Sequence, residues 1–238
     1  MSITEKESII TIVGFLGAGK TTLLKKLISE YTGNNFDPFV ILNDYENANL
    51  DAQQLTSILG PEFIKPLSGS CICCSGINEL REFINRIPKR NNGITLIEAN
   101  GTSDACSLMG FLGVGINDRF LPPIQISVVD VKNWQKRAEN NDLESNQIQV
   151  SSLIVLTHID VETLERISYV ISELKKLNPT AKIIRMKEIG VSFISKLSPS
   201  KNKSHKFEHL KSHWSSCSTN LPFLPNSSYV YNICDALP

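Results

Sequence analysis

Gly14 and Gly19 bracket four residues and lead directly into Lys20 and Thr21, within the run Gly14-Phe15-Leu16-Gly17-Ala18-Gly19-Lys20-Thr21-Thr22. At this spacing backbone N–H groups turn inward around phosphate oxygens, the lysine reaches the outer phosphates and the following hydroxyl ligates Mg²⁺. The chemistry implied is nucleotide binding, with Gly14, Gly17, Ala18, Gly19, Lys20, Thr21 and Thr22 as the phosphate-side contacts. The flanks agree with the motif. Ile9 to Val13 is a β-branched run suited to a buried parallel strand, and Leu23, Leu24, Leu27, Ile28 and Tyr31 recur at helical spacing. The helix N-terminus therefore points at the phosphates, where its dipole and free N–H groups favour anions.

A second constellation is Ser70-Cys71-Ile72-Cys73-Cys74-Ser75-Gly76, three thiols within four positions just ahead of an expected helix. Thiolates suit soft transition metals, and a helix N-terminus lowers thiol pKa. Adjacent Cys73 and Cys74 do not easily aim at one ion, so two sulfurs plus outside donors are expected. Such an open site suits transfer better than structural storage, since structural zinc sites are closed by four protein ligands. A Cys-x-Cys redox pair and buried apolar cysteines are the competing readings.

Further candidates are more scattered. Glu98 follows the apolar strand Ile94 to Ile97, where a carboxylate at the crevice end can hold Mg²⁺ through water or orient the attacking water. A solvent-exposed strand-end carboxylate is the plain alternative. His205, His209 and His213, with Glu208 between them, would share one face if helical and permit metal binding; a solvated linker is the simpler reading. Cys106, Cys217 and Cys234 stand alone, as packing residues or free thiols.

The elements that must position these residues alternate between short apolar runs and amphipathic stretches, the pattern of a parallel sheet covered by helices on both faces. Strands are expected near 9–13, 38–42, 94–97, 124–129, 152–156 and 182–186, and helices at 20–31, 77–87 and 161–177. In the last helix Leu164, Ile167, Ile171 and Leu174 form one apolar stripe. Beyond about residue 190 the composition turns to Ser, Lys, Asn, His and Pro with little periodicity. The expected organisation is one α/β domain over 1–190 and a short irregular tail, or remnant of a second domain, over 191–238.

Composition narrows the partners. The 238 residues carry 24 basic and 24 acidic side chains, so nothing electrostatic favours nucleic acid or an anionic membrane. No stretch approaches the roughly 20 apolar residues a membrane span needs. The apolar run at 9–18 follows Glu5 and Glu7 and ends in the phosphate loop, so it reads as a core strand rather than a leader. Six cysteines, three of them crowded together, fit a reducing, cytoplasmic setting better than a disulfide framework.

Taken together, the phosphate loop, the Cys-Ile-Cys-Cys loop and Asn178-Pro179-Thr180-Ala181 resemble the CobW-like GTPases, the metal-handling family of cobalamin-synthesis, zinc-chaperone and nitrile-hydratase-activator proteins, over about residues 8–190. The resemblance implies a P-loop NTPase fold usually followed by a second C-terminal domain, most or all of which is expected to be absent. It implies that GTP binding is coupled to metal capture at Cys71, Cys73 and Cys74, and slow GTP hydrolysis to delivery of Zn²⁺ or Co²⁺ to a client metalloprotein. Glu98 and Gly101 match a second nucleotide motif, Glu-x-x-Gly. Asn43-Asp44-Tyr45-Glu46 resembles a switch segment written Asn-Glu-Phe-Gly, so Asp44 and Glu46 become candidate metal donors.

The same resemblance places Thr157-His158-Ile159-Asp160 at the base-reading motif, where Asn, Ser or Thr is followed by Lys, any residue and Asp. A carboxylate accepts two hydrogen bonds from guanine's N1 and exocyclic amine, which adenine does not supply. Asp160 therefore argues for GTP, although it also stands where it would cap the helix expected from 161. His158 replaces the lysine whose stem packs on the base. Two alternatives stay open: a degenerate relative that only binds metal or nucleotide, and an ATP-using P-loop kinase or ATPase. An exposed family interface would favour a homodimer.

Overall fold

The computed structural model describes residues 6–43, 48–67 and 77–200. Seven parallel strands form one sheet: β1 (Ser8–Val13), β2 (Asp37–Leu42), β3 (Ile64–Pro66), β4 (Gly93–Glu98), β5 (Ile124–Asp130), β6 (Leu153–Thr157) and β7 (Lys182–Arg185). Their order across the sheet is β3-β2-β4-β1-β5-β6-β7. Because β1 lies between β4 and β5, chain connections leave it in both directions. That opens the crevice at its C-terminal end where open α/β sheets take their ligands.

The helices are α1 (Lys20–Gly33), α2 (Ala48–Leu55), α3 (Ile77–Arg86), α4 (Ala105–Leu112), α5 (Asn141–Gln149), α6 (Leu164–Leu177) and α7 (Val191–Ile194). Strand alternation divides the core between two faces. Ile10 and Ile12 of β1 join Leu23, Leu24, Leu27 and Ile28 of α1 on one side, while Ile9 and Val13 meet Leu80 and Ile84 of α3 and Leu108 of α4 on the other. A third cluster unites β5 and β6 with α5 and α6 through Trp134, Ile148, Ile154, Val170 and Leu174. Burial on both faces explains why the inner strands read as continuous apolar runs without alternation.

All six expected strands are present, and the edge strand β3 is added. The helix expected from 161 begins instead at Leu164, where the Thr163 side chain caps it by accepting a hydrogen bond from the Arg166 amide at 3.2 Å. Residues Ile159–Val161 form a separate short turn, so Asp160 is not that helix's cap. The stripe on α6 is also shifted: Leu164 is 75% exposed, and Val170 with Leu174 provides the buried contact.

Two turns at the opposite edge of the sheet are clamped by buried Asn178. Its amide donates to the carbonyls of Ile148, Gln149 and Ser151, and its oxygen accepts from the amides of Thr180 and Ala181. Residues 191–197 pack onto the core beside α1, with Val191 and Ile194 buried and Leu197 against them. No helix among the described residues is long and apolar enough to cross a membrane.

Candidate functional site

Between β1 and α1 the chain makes a loop whose glycines are required by geometry. Gly14 has φ +149°, and a Cβ there would lie 2.5 Å from the Val128 carbonyl oxygen on β5. Gly17 and Gly19 have φ of +76° and +97°, values that side-chain-bearing residues rarely adopt. The Ala18 amide donates to the Phe15 carbonyl at 3.1 Å and closes the turn. The first turn of α1 carries no acidic residue, so nothing offsets the partial positive charge its free N–H groups present to an anion. Lys20, its first residue, is buried.

On the β4 side, the Thr21 hydroxyl donates to a Glu98 carboxylate oxygen at 2.9 Å. Glu98 stands at the end of β4 in register with Ile12 of β1, which brings it beside the loop. Two hard oxygen donors at this distance on a helix N-terminus form a donor set suited to Mg²⁺. Gly101 is pressed against the loop from above: a Cβ on it would fall 2.7 Å from the Leu16 backbone nitrogen. The Gln147 amide of α5 holds this turn, donating to the carbonyls of Gly101 at 3.1 Å and Ser103 at 3.2 Å.

On the β6 side, the Thr157 hydroxyl lies 2.8 Å from the Ala18 carbonyl and 3.1 Å from that of Val129. It ties the expected base-reading segment to the phosphate loop. His158 adopts the left-handed conformation, φ +53°, and its Nδ1 is 3.1 Å from an Asp130 carboxylate oxygen. A cavity of about 360 Å³ opens here, bounded by Gly19, Thr22, Thr157, His158 and Asp160 and, opposite, by the turn Arg185–Lys187. Its volume accommodates a purine base with room for solvent.

Several participants were not evident from the sequence. Asp130 ends the wholly buried strand β5 and accepts hydrogen bonds from the Lys132 and Asn133 amides and the Asn133 side chain. The argument applied to Glu98, a carboxylate at the crevice end of a buried strand, would have found it. Arg137 sits over the Phe15 ring, 4.7 Å from its centroid, between Asp130 at 3.7 Å and Glu144 at 3.9 Å. Burial pushes the Glu144 carboxyl above its ordinary pKa, opposed by the Gln135 amide and by Arg137. Burial likewise pushes the Cys106 thiol up to about 12, with Asp104 adding to the shift.

The transition-metal candidates Asp44, Glu46, Cys71, Cys73 and Cys74 lie outside the described residues, as do His205, Glu208, His209, His213, Cys217 and Cys234. The stems of the two loop segments are described. The Leu67 amide donates to the Leu42 carbonyl at 2.8 Å, the Asn43 side-chain amide approaches the Leu67 carbonyl at 3.5 Å, and the Asn43 amide donates to the Glu98 carbonyl at 2.9 Å. Both segments thus leave the sheet side by side at the edge where Glu98 stands. Among the described residues no group of three His, Cys, Asp or Glu is arranged to hold a metal ion.

Comparison with known proteins adds to this geometry. The family model described as the CobW/HypB/UreG nucleotide-binding domain matches residues 8–185. The chain is 24% identical over 222 residues to zinc-regulated GTPase metalloprotein activator 1 of Dictyostelium discoideum, covering 76% of this chain and 46% of that one. It is 29% identical over 164 residues to the zinc chaperone YjiA of Escherichia coli, covering 65% and 50%. The chain thus spans about half the length of these relatives. Among solved structures, Zn(II)-bound YjiA GTPase from E. coli superposes with a TM-score of 0.54 at 17% identity, covering 90% of this chain and 67% of that one; the likeness is one of fold.

Proposed function

The chain belongs to the CobW/HypB/UreG nucleotide-binding domain family, and from that premise we propose that it binds and hydrolyses GTP and couples its nucleotide state to capture and delivery of a transition metal. One observation carries the nucleotide half. The Thr21–Glu98 pair and the cavity bearing Asp160 stand on either side of one helix N-terminus, joined to it through the Thr157–Ala18 hydrogen bond. A triphosphate and a purine each find their own donors there within a single crevice.

The loop amides and Lys20 hold the phosphates, and Asp160 accepts from the base edge. Thr21 and Glu98 fit Mg²⁺, which when bound neutralises phosphate charge. Glu98 orients the attacking water. The water oxygen bonds to the γ-phosphorus as the bond to the β-bridging oxygen breaks, giving GDP, phosphate and a released proton. No arginine is assigned to the transition-state charge, and turnover without a partner is slow.

For the metal half, the cargo is Zn²⁺ or Co²⁺, held by Cys71, Cys73 and Cys74 with Asp44 or Glu46 completing the set. Support comes from the joined stems at Asn43 and Leu67 beside Glu98, and from relatives named for zinc. Closure of the 43–51 segment on a bound γ-phosphate brings its carboxylates to the cysteines in one nucleotide state only. The GTPase unit is assigned to residues 1–190 and the remainder to a tail, in a reducing cytoplasm, with a client metalloprotein or a second copy of the chain as macromolecular partner.

The test is Zn²⁺ and Co²⁺ affinity by competition with a chromophoric chelator, with Mg²⁺ and either GDP or a non-hydrolysable GTP analogue, on wild type and Cys71→Ser/Cys73→Ser protein. Tighter, cysteine-dependent binding with the analogue supports the reading. Equal affinity in both nucleotide states would demote the chain to a relative whose nucleotide chemistry is uncoupled from metal.

A further inference from the structure

The cavity beside Asp160 has a second wall of opposite charge. Arg185 ends β7 directly across from Leu156 of β6 in the parallel register, and Lys187 lies two residues on. Both line the cavity facing the Thr157–Asp160 segment. Neither cation is in an ion pair among the described residues.

The turn that carries them is held in place. The Arg185 amide donates to a Glu188 carboxylate oxygen at 2.7 Å, and the Met186 carbonyl accepts from Lys26 of α1 at 2.9 Å. Meanwhile the imidazole of His158 is held by Asp130 at 3.1 Å, so its Nδ1 is committed away from a bound base. The cations with donors to spare for a ligand are those of the β7 turn.

Guanine offers two hydrogen-bonding edges of opposite sense. N1–H and the exocyclic amine donate, whereas O6 and N7 accept. Asp160 serves the donating edge alone. We propose that Arg185 reads the accepting edge, its planar fork donating to O6 and N7, and that the cavity selects guanine by partitioning its two edges between a carboxylate wall and a guanidinium wall. Adenine turns an amino group toward the guanidinium, donor against donor, and is rejected there as well as at Asp160. Lys187 contributes positive potential without a fork, attracting any nucleotide equally. This inference rests on the guanine-nucleotide reading of the same site and names the residue that enforces it.

The experiment measures affinities for GDP, IDP and ADP on wild type and on Arg185→Met, Arg185→Lys, Lys187→Met and Asp160→Asn proteins, with melting temperatures as a folding check. IDP keeps O6 and N7 but lacks the exocyclic amine. Arg185→Met should weaken GDP and IDP together by about tenfold, within the range of one bidentate base contact, and leave ADP unchanged. Arg185→Lys, which keeps the charge and loses the fork, should narrow the GDP-to-ADP ratio similarly. Asp160→Asn should weaken GDP more than IDP, and Lys187→Met should weaken all three alike. A GDP-to-ADP ratio unchanged in both Arg185 variants overturns the inference while the guanine reading stands. A wild-type protein that does not prefer GDP to ADP overturns both.

Discussion

Thr21 and Glu98 are separated by 77 positions in the chain, yet the threonine hydroxyl donates to the glutamate carboxylate at 2.9 Å. The contact exists because β4 lies beside β1 in the sheet, so the end of the one strand faces the loop that follows the other.

If this pair manages Mg²⁺ and water, Glu98→Gln should preserve the threonine contact through its amide oxygen and remove only the charge. Single-turnover phosphate release from GTP is expected to fall about 10²-fold, the lower end for a positioned acid or base. Affinity for GDP without Mg²⁺ should stay within twofold of wild type, on the order of the scatter at a site that loses no contact. Unchanged turnover would remove Glu98 from the reaction.

Gly101 has no space for a side chain, because the atom its Cβ would meet at 2.7 Å is backbone. Gly101→Ala must displace either its own turn, which Gln147 holds by two hydrogen bonds, or the phosphate loop. The expected cost is roughly 1–3 kcal/mol of stability. The GTP analogue should also lose more affinity than GDP, since the turn abuts the loop that holds the phosphates. A melt with and without each nucleotide separates the two effects, and a variant indistinguishable from wild type would show that the turn yields freely.

How much of this could be read from the chain depends on how local each feature is. The glycine-lysine-threonine loop is local, and the buried parallel strands announce themselves as apolar runs, so α1 and the six longer strands were legible. Three-residue β3, ending in Pro66, is too short to carry a pattern. Helix α5 was invisible for a different reason. It buries Glu144, Asn146 and Gln147 beside Leu143 and Ile148, so its inner face is half polar and shows no apolar stripe. The site divides in the same way. Glu98, Thr157 and Asp160 sit in recognisable segments, whereas Asp130, Arg137 and Arg185 gain their roles only from the strand order that sets them around the loop.

His158 departs from the lysine of the related motif, and its contact with Asp130 suggests what a reversion should do. His158→Lys would keep a cation near the Asp130 carboxylate and lay an alkyl stem along the base. GDP affinity measured by a fluorescent analogue is expected to rise about two- to fivefold, the size of an exposed cation–π contact. Weaker binding would mean that the imidazole itself stacks on the base, with Asp130 as its anchor.

Cys106 should be chemically silent. Burial holds its thiol up to about 12, so at neutral pH the nucleophilic thiolate is almost absent. Brief alkylation of the native protein at pH 7 followed by peptide mass spectrometry should leave Cys106 unmodified, and denaturation should expose it. Rapid labelling in the native state would show that the packing around α4 opens readily.

Glu144 supplies a pH dependence of defined sign. Burial raises its carboxyl above the ordinary 4.5, so the folded protein binds this proton more tightly than the unfolded chain. Its contribution to stability is therefore fully present below about pH 4.5 and is lost as pH rises from there through the raised folded value. Glu144→Gln removes the titration and retains an oxygen to accept the Gln135 amide, a bond of 2.8 Å in the wild type. Arg137 loses one carboxylate neighbour at 3.9 Å but keeps Asp130 at 3.7 Å, which limits the penalty of the exchange. Urea midpoints across a pH series should then show wild type losing stability relative to the variant as pH climbs above 4.5. Parallel profiles for the two proteins would show that Glu144 titrates as it does in the unfolded chain, and that Arg137 and Gln135 offset its burial in full.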